Sequence, residues 1–296
     1  MNQEVLELYK KKLVEIMEFF DKFCHINNLS YFACSGTAIG AVRHKGFIPW
    51  DDDIDLFMPR KDYNFLMEIR NELLSNGYAI KNLGDEDYIY SYAKLYDINT
   101  TLIESSLYPN CNIGVYIDIF PLDEVSGTFD QIRDKKQKYT KEYRLFQDTY
   151  LSISGRLLLS CAYHCDFKRL KELIIMSFTS NKQKQLIRDN FCLLESTWAE
   201  EKGSLLMTHS CIYSLEKELF PKKWFSEGVY KNFENIKIRI SNEYDAYLQQ
   251  LYGDYMSLPP VEKRVSNHSH YYLNLNEGLP LKIVHERIAK GETIVY

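Results

Sequence analysis

From Glu4 to Cys24 the apolar residues Val5, Leu6, Tyr9, Leu13, Ile16, Met17, Phe20 and Phe23 recur at helical spacing with Glu and Lys between them, which predicts an amphipathic opening helix. Asn27-Asn28 ends it. Tyr31-Phe32-Ala33-Cys34 is short, aromatic and strand-like, and Ser35-Gly36-Thr37 turns the chain toward a short helix over about Thr37 to Arg43. Pro49 pushes Ile48 away from the helical region, so Gly46 to Trp50 reads as loop. In Asp51 to Met58 the second half alternates acidic and apolar residues, the period of a strand with two unlike faces, and Pro59 closes it. Asp62 is a candidate cap for a helix from Tyr63 to Asn76, with Gly77 as its stop.

Weaker strand patterns follow at Tyr78–Lys81, Tyr88–Tyr96 and Val115–Phe120, so the order of elements predicts an α/β or α+β core over residues 1–125. Phe129 to Trp198 is rich in Lys, Leu, Gln and Glu at helical spacing and predicts a mainly helical region. The tail is more mixed, with a helix expected over Glu243–Leu251 and a turn-rich aromatic loop after it. No repeat or flexible linker separates the parts. Residues 126–296 are therefore expected to be a helical region and C-terminal segment packed on the core.

Composition narrows the class. With 296 residues, 45% hydrophobic and 26% charged, the chain is globular rather than disordered, collagenous or coiled-coil. A formal charge of −5 offers no general field for a polyanion, which argues against nucleic acid as the main partner. The seven cysteines are scattered without a CxxC pair, so neither a disulfide framework nor a zinc knuckle is signalled. No signal-peptide pattern opens the chain and no stretch is long and apolar enough to span a bilayer. A cytoplasmic protein, soluble or peripheral to the inner membrane face, is the expectation.

Four aspartates in five positions, Asp51, Asp52, Asp53 and Asp55, require a physical reason. On a strand Asp51, Asp53 and Asp55 would share one side, and charges about 5 Å apart repel by roughly 3 kcal/mol at an effective dielectric near 20. A hard divalent cation, Mg²⁺ or Mn²⁺, would offset that. A solvated acidic loop is opposed by the adjacent Ile54, Leu56, Phe57 and Met58, and an EF-hand by the missing Gly and closing Glu. Upstream, the Ser35-Gly36-Thr37 turn could hold a phosphate on backbone N–H groups. Asp118, a lone acid in an apolar strand, is the candidate third carboxylate, with Asp123 as runner-up. Arg43, Lys94 and Arg264 are candidate partners for phosphate charge, each weighed against an ordinary surface charge. His268 and His270 could form half a zinc site, but phosphate or substrate contact is preferred. Tyr252, Tyr255, Tyr271 and Tyr272 could cage a quaternary ammonium or simply pack.

The run from Gly36-Thr37 through Arg43-His44-Lys45-Gly46-Phe47-Ile48-Pro49-Trp50 to Asp51-Asp52-Asp53-Ile54-Asp55 resembles the signature of the LicD family of bacterial phosphocholine transferases. Ile117-Asp118-Ile119-Phe120-Pro121-Leu122-Asp123, and Tyr252-Gly253-Asp254-Tyr255-Met256 with Leu258-Pro259-Pro260 before Arg264 and His268, agree with it. The resemblance implies an α+β, nucleotidyltransferase-like mixed sheet flanked by helices. It implies Asp53 and Asp55 as the metal pair, Asp118 as third ligand or base, and Asp51 and Asp52 within reach of substrate or metal. The implied donor is CDP-choline or a similar CDP-alcohol, and the implied acceptor a glycan or lipid-linked glycan hydroxyl, as in teichoic acid or lipooligosaccharide. Transfer of a nucleoside monophosphate by the same core, and an inactive glycan-binding protein, are the alternatives. Ser35 departs from the family's usual Gly, and Ala38-Ile39 from its Leu-Leu, changes that bear on how closely a nucleotide approaches.

Overall fold

The computed structural model describes residues 2–210, 213–266, 268 and 270–295; Cys211, Asn267 and Ser269 lie outside the described residues. Asn2 caps α1 (Gln3–Ile26) by accepting the Val5 N–H, and the predicted apolar stripe is buried along its length. β1 (Phe32–Ala33) leads into α2 (Ser35–Ile39), which widens into a π-helical turn over Gly40–His44. β2 (Asp55–Pro59), α3 (Arg60–Ile69), β3 (Tyr78–Lys81), β4 (Ala93–Asp97), β5 (Thr101–Ile103) and β6 (Tyr116–Val125) follow. A helical region comes next: α4 (Phe129–Asp148), α5 (Gly155–Tyr163), α6 (Phe167–Phe178) and α7 (Asn181–Ala199). α4 and α7 each open with a capping box, Thr128 with Gln131 and Ser180 with Gln183. They enclose their own core of Tyr139, Phe146, Phe191 and Trp198. The chain ends with β7 (Leu205–Met207), α8 (Leu215–Glu218), β8 (Phe220–Pro221), β9 (Gly228–Phe233), β10 (Ile236–Ser241), α9 (Tyr244–Tyr252), β11 (Tyr272–Asn274), α10 (Leu281–Ala289) and β12 (Ile294–Val295).

The main sheet is mixed, in the order β3-β4-β6-β2-β1-β10-β9, with β7 and β8 added at the far end of β6. β2 runs parallel to β6 and β1 parallel to β10; the other pairs are antiparallel. A small sheet, β12-β11-β5, stands apart. The α+β class with a mixed sheet between helices is thus present. The β9–β10 hairpin lies in the stretch read as a mixed tail, so residues 228–241 supply two strands to the sheet that the first 125 residues begin.

Three local expectations change. The acidic run is not strand until Asp55; Asp51 to Ile54 precede the ladder without regular secondary structure. The helix expected from Tyr63 starts at Arg60, and Asp62 does not cap it, because its carboxylate accepts the Ser30 N–H at 3.1 Å. It tightens to a 3₁₀ turn over Arg70–Asn76 and stops at Gly77, as its φ of +82° requires. The strand expected over Tyr88–Tyr96 is confined to Ala93–Asp97, since Tyr88 curls back to donate its hydroxyl to the Tyr92 carbonyl. No helix among the described residues is long and apolar enough to cross a membrane.

Candidate active site

Three neighbouring strands place chemistry in one row. In the parallel β2–β6 pair Asp55 lies opposite Asp118, and in the antiparallel β4–β6 pair Lys94 lies opposite Asp118. The row therefore reads Asp55, Asp118, Lys94 across the sheet, with side chains on one face. Lys94 is buried and donates to Asp118 Oδ1 at 2.8 Å, with Glu104 at 3.6 Å and the Tyr116 ring centre at 3.4 Å. Glu104 accepts hydrogen bonds from the Tyr90 and Tyr116 hydroxyls.

Asp55 opens into a cleft of about 470 Å³ that is also lined by Ser35, Gly36, Asp51, Asp53 and His268, and by the rings of Trp50, Phe57, Tyr92, Phe120, Tyr213 and Tyr252. The turn above it is built locally. The Cys34 N–H donates to the Asp55 carbonyl at 2.9 Å, and the Asp55 N–H donates to Thr37 Oγ1 at 2.9 Å. Thr37 thus ties the turn to the strand. Ser35 sits at φ +50°, the left-handed region where glycine carries no steric penalty, which gives the family's Gly at this position a physical reason. At Gly36 an added Cβ would come 2.3 Å from Asp51 Oδ2. Gly36→Ala is therefore expected to displace the Asp51 carboxylate and lower any turnover in this cleft at least about tenfold with little change in α-helix content by circular dichroism. Unchanged activity would show that the Asp51–Gly36 contact is dispensable.

Burial raises the Asp51 carboxyl to about 7, helped by repulsion from Asp53. Burial likewise raises Asp53, with Asp118 adding to the shift, and raises Asp55 well above the carboxylate range, reinforced by Asp53 and then Asp118. Asp118 rises to about 6 because burial outweighs the pull of Lys94. Four carboxyls resisting ionisation are what a cluster short of positive charge shows. Part of the deficit is met by His268, raised to about 9 chiefly by its hydrogen bond with Asp52. Its Nδ1 lies 2.7 Å from Asp52 Oδ1 and its Nε2 3.3 Å from Asp53 Oδ2. Donor atoms of Asp51, Asp52 and His268 all fall within 4.8 Å of one another. The oxygen-rich donor set and its unmet charge fit a hard divalent cation.

Of the residues singled out in the sequence, Ser35, Gly36, Asp51, Asp53, Asp55, Tyr252 and His268 line the cleft, whereas several others are engaged elsewhere. Asp52 turns away, accepting from Ser266 and His268, and these bonds hold it below its ordinary value despite burial. Arg43 donates to the carbonyls of Tyr255 and Ser257, so it clasps the C-terminal loop rather than phosphate. Tyr255 donates its hydroxyl to Asp245, and Tyr272 is buried in the small sheet. Arg264 donates to the Pro259 carbonyl and lies over the Trp50 ring. Lys94 meets Asp118 instead of substrate. Asp123 neither faces water nor enters the cleft; it is buried and gripped at 2.6 and 2.8 Å by Arg60. Sequence reasoning missed Trp50, Phe57, Tyr92, Phe120, Thr208, Ser210, Tyr213 and Lys263. Trp50 and Phe57 flank the acidic run and were within reach of that argument; Thr208, Ser210 and Tyr213 carry no local signal.

A mixed sheet with acids in register on adjacent strands, below a turn that feeds a helix N-terminus, defines a nucleotidyltransferase-type domain. Residues 28–158 match the LicD/FKTN/FKRP nucleotidyltransferase domain. The chain is 28% identical over 274 residues to the lipopolysaccharide cholinephosphotransferase LicD of Haemophilus influenzae, covering 89% of this chain and 96% of that protein. Two uncharacterised proteins, from Rickettsia typhi and Rickettsia prowazekii, are 30% and 34% identical over 43% and 40% of this chain, which are 45% and 41% of their own lengths.

Proposed function

We propose that the protein transfers phosphocholine, or a closely related phospho-alcohol, from a CDP-activated donor to a hydroxyl of a cell-surface glycan precursor, with Mg²⁺ or Mn²⁺ bound by Asp53, Asp55 and neighbouring carboxylates. The reading is carried by one juxtaposition: half-buried acids and a glycine turn suited to a pyrophosphate share a single cleft with six aromatic rings suited to a quaternary ammonium. The relationship to the Haemophilus cholinephosphotransferase supports the choice of head group and of a lipopolysaccharide-type acceptor. A bound divalent ion would supply positive charge to the pyrophosphate.

In this reading the Gly36 backbone and Ser35 orient the nonreacting phosphate, and the aromatic rings hold the choline so that its phosphorus faces the acceptor. The acceptor oxygen forms the new P–O bond as the bond to CMP breaks, and the hydroxyl proton passes to the acidic wall. Asp51 faces the open cleft, whereas Asp118 stands behind Asp55 with one oxygen held by Lys94. Incubation with CDP-choline labelled in the choline methyls or in the cytidine tests the direction of transfer. Choline label should move to a glycan acceptor and cytidine label should appear as CMP. Cytidine on the acceptor would overturn the reading in favour of nucleotidyl transfer.

A further inference from the structure

The α5–α6 hairpin carries an apolar face that nothing in the fold covers. α5, with the sequence Gly-Arg-Leu-Leu-Leu-Ser-Cys-Ala-Tyr, has no buried residue. Leu159 and Tyr163, one turn apart, are 72% and 84% exposed, and across the short turn Phe167 and Phe178 are 64% and 85% exposed. On α6, Phe167, Lys171, Ile174 and Phe178 fall at helical spacing along one side, so the exposed rings belong to a face and not to scattered positions. Single exposed apolar residues are ordinary; a set along one side of α6, with Leu159 and Tyr163 a turn apart on the helix before it, marks an interaction surface.

Charge decides what covers it. Between residues 155 and 184 there are six basic side chains, Arg156, Lys168, Arg169, Lys171, Lys182 and Lys184, against Asp166 and Glu172, in a chain whose formal charge is −5. Arg169 is tied to Asp148, but Arg156, Lys168 and Lys171 are exposed on the same two helices as the apolar residues. Protein–protein interfaces are depleted in lysine. Lysines around a Leu and aromatic face are the composition of helices that lie in the headgroup region of an anionic bilayer. We propose that the α5–α6 hairpin docks the protein on an anionic phospholipid surface.

The geometry extends the proposal toward the cleft. A groove of about 740 Å³ between α4 and α6 is lined by Lys141, Arg144, Lys168, Ile175 and Met176 and reaches Tyr213, which also lines the catalytic cleft. Tyr213 thus stands between this groove and the catalytic cleft. The docking itself stands independently of the transfer reaction.

Sedimentation of the full chain with vesicles tests it. Binding is expected to vesicles of equal phosphatidylglycerol and phosphatidylcholine and to be at least about tenfold weaker to phosphatidylcholine alone. Tyr163→Ser with Phe178→Ser should cut binding at least about tenfold with the urea midpoint unchanged, and Lys168→Glu with Lys171→Glu should remove the preference for anionic lipid. As a measurement that does not depend on weakened variants, Tyr163→Trp should show a blue shift in emission and quenching by brominated lipid. Absence of sedimentation with anionic vesicles, indifference to these substitutions, or light scattering showing a dimer that Tyr163→Ser with Phe178→Ser converts to monomer would overturn the proposal. Failure here would leave choline-label transfer to a soluble acceptor intact, so the two readings fail separately.

Discussion

Asp55→Asn is expected to reduce phosphocholine transfer by at least about 10²-fold while raising the melting temperature of the metal-free protein at pH 8. The side chain is nearly isosteric, so packing against Leu56 and the β6 partner Asp118 is kept. What changes is charge. Asp55 is held well above the carboxylate range by burial and by Asp53 and Asp118. A carboxyl whose folded-state value is raised above its unfolded value contributes most favourably below the unfolded value, and that contribution is lost as pH rises through the folded one. The loss therefore sets in above the ordinary carboxylate value and grows with pH, with Asp118 at about 6 and Asp51 at about 7 ionising on the way and adding to the repulsion. Asn removes one charge from the group, so the variant should gain stability over wild type at pH 8 and lose that advantage toward pH 4. Saturating Mg²⁺ should raise the melting temperature of the wild type more than that of the variant. Urea titrations at the two pH values, with and without Mg²⁺, check each part. A variant less stable than wild type at pH 8, or one retaining full turnover, would show that the acids are not a charge-poor catalytic cluster.

How far the sequence discloses this site depends on how local the determinants are. Asp51, Asp53 and Asp55 line the cleft while Asp52, Ile54 and Leu56 do not, so the alternation holds although only Asp55 belongs to the ladder. The Gly36 turn is legible because a tight approach to another chain segment demands the smallest residue. The ion pairs are not legible. Nothing adjacent to Lys94 indicates that β4 will run beside β6 and bring it to Asp118, and nothing near Arg43 indicates that carbonyls more than two hundred residues later will claim its guanidinium. Proximity to the motifs points Arg43, Lys94 and Arg264 toward phosphate, and tertiary pairing overrides that. The β9–β10 hairpin differs: Ile236, Ile238 and Ile240 alternate with Lys237 and Arg239, a period-2 signal present in the chain but diluted by the mixed composition around it.

The second large effect concerns the cation at the other end of the Asp55–Asp118–Lys94 row. Lys94→Met preserves most of the volume at a site 1% exposed but leaves Asp118 and Glu104 without their ammonium partner. Removing one member of a buried pair costs about 3–5 kcal/mol, because the remaining charge keeps its desolvation penalty. The loss should appear in full at pH 8. At pH 5 it should be smaller, since burial already places Asp118 at about 6 and losing Lys94 moves it higher, so the folded variant takes up the proton that relieves it. Adding Asp118→Asn to Lys94→Met should recover part of the lost stability, giving a coupling of about 1–3 kcal/mol in a double-mutant cycle read from urea midpoints. Equal deficits at both pH values, or no recovery in the double variant, would mean that Lys94 supports the fold through packing on Tyr116 and its neighbours. In that case the row would be a packing seam, and the position of Asp118 beside Asp55 would owe nothing to charge.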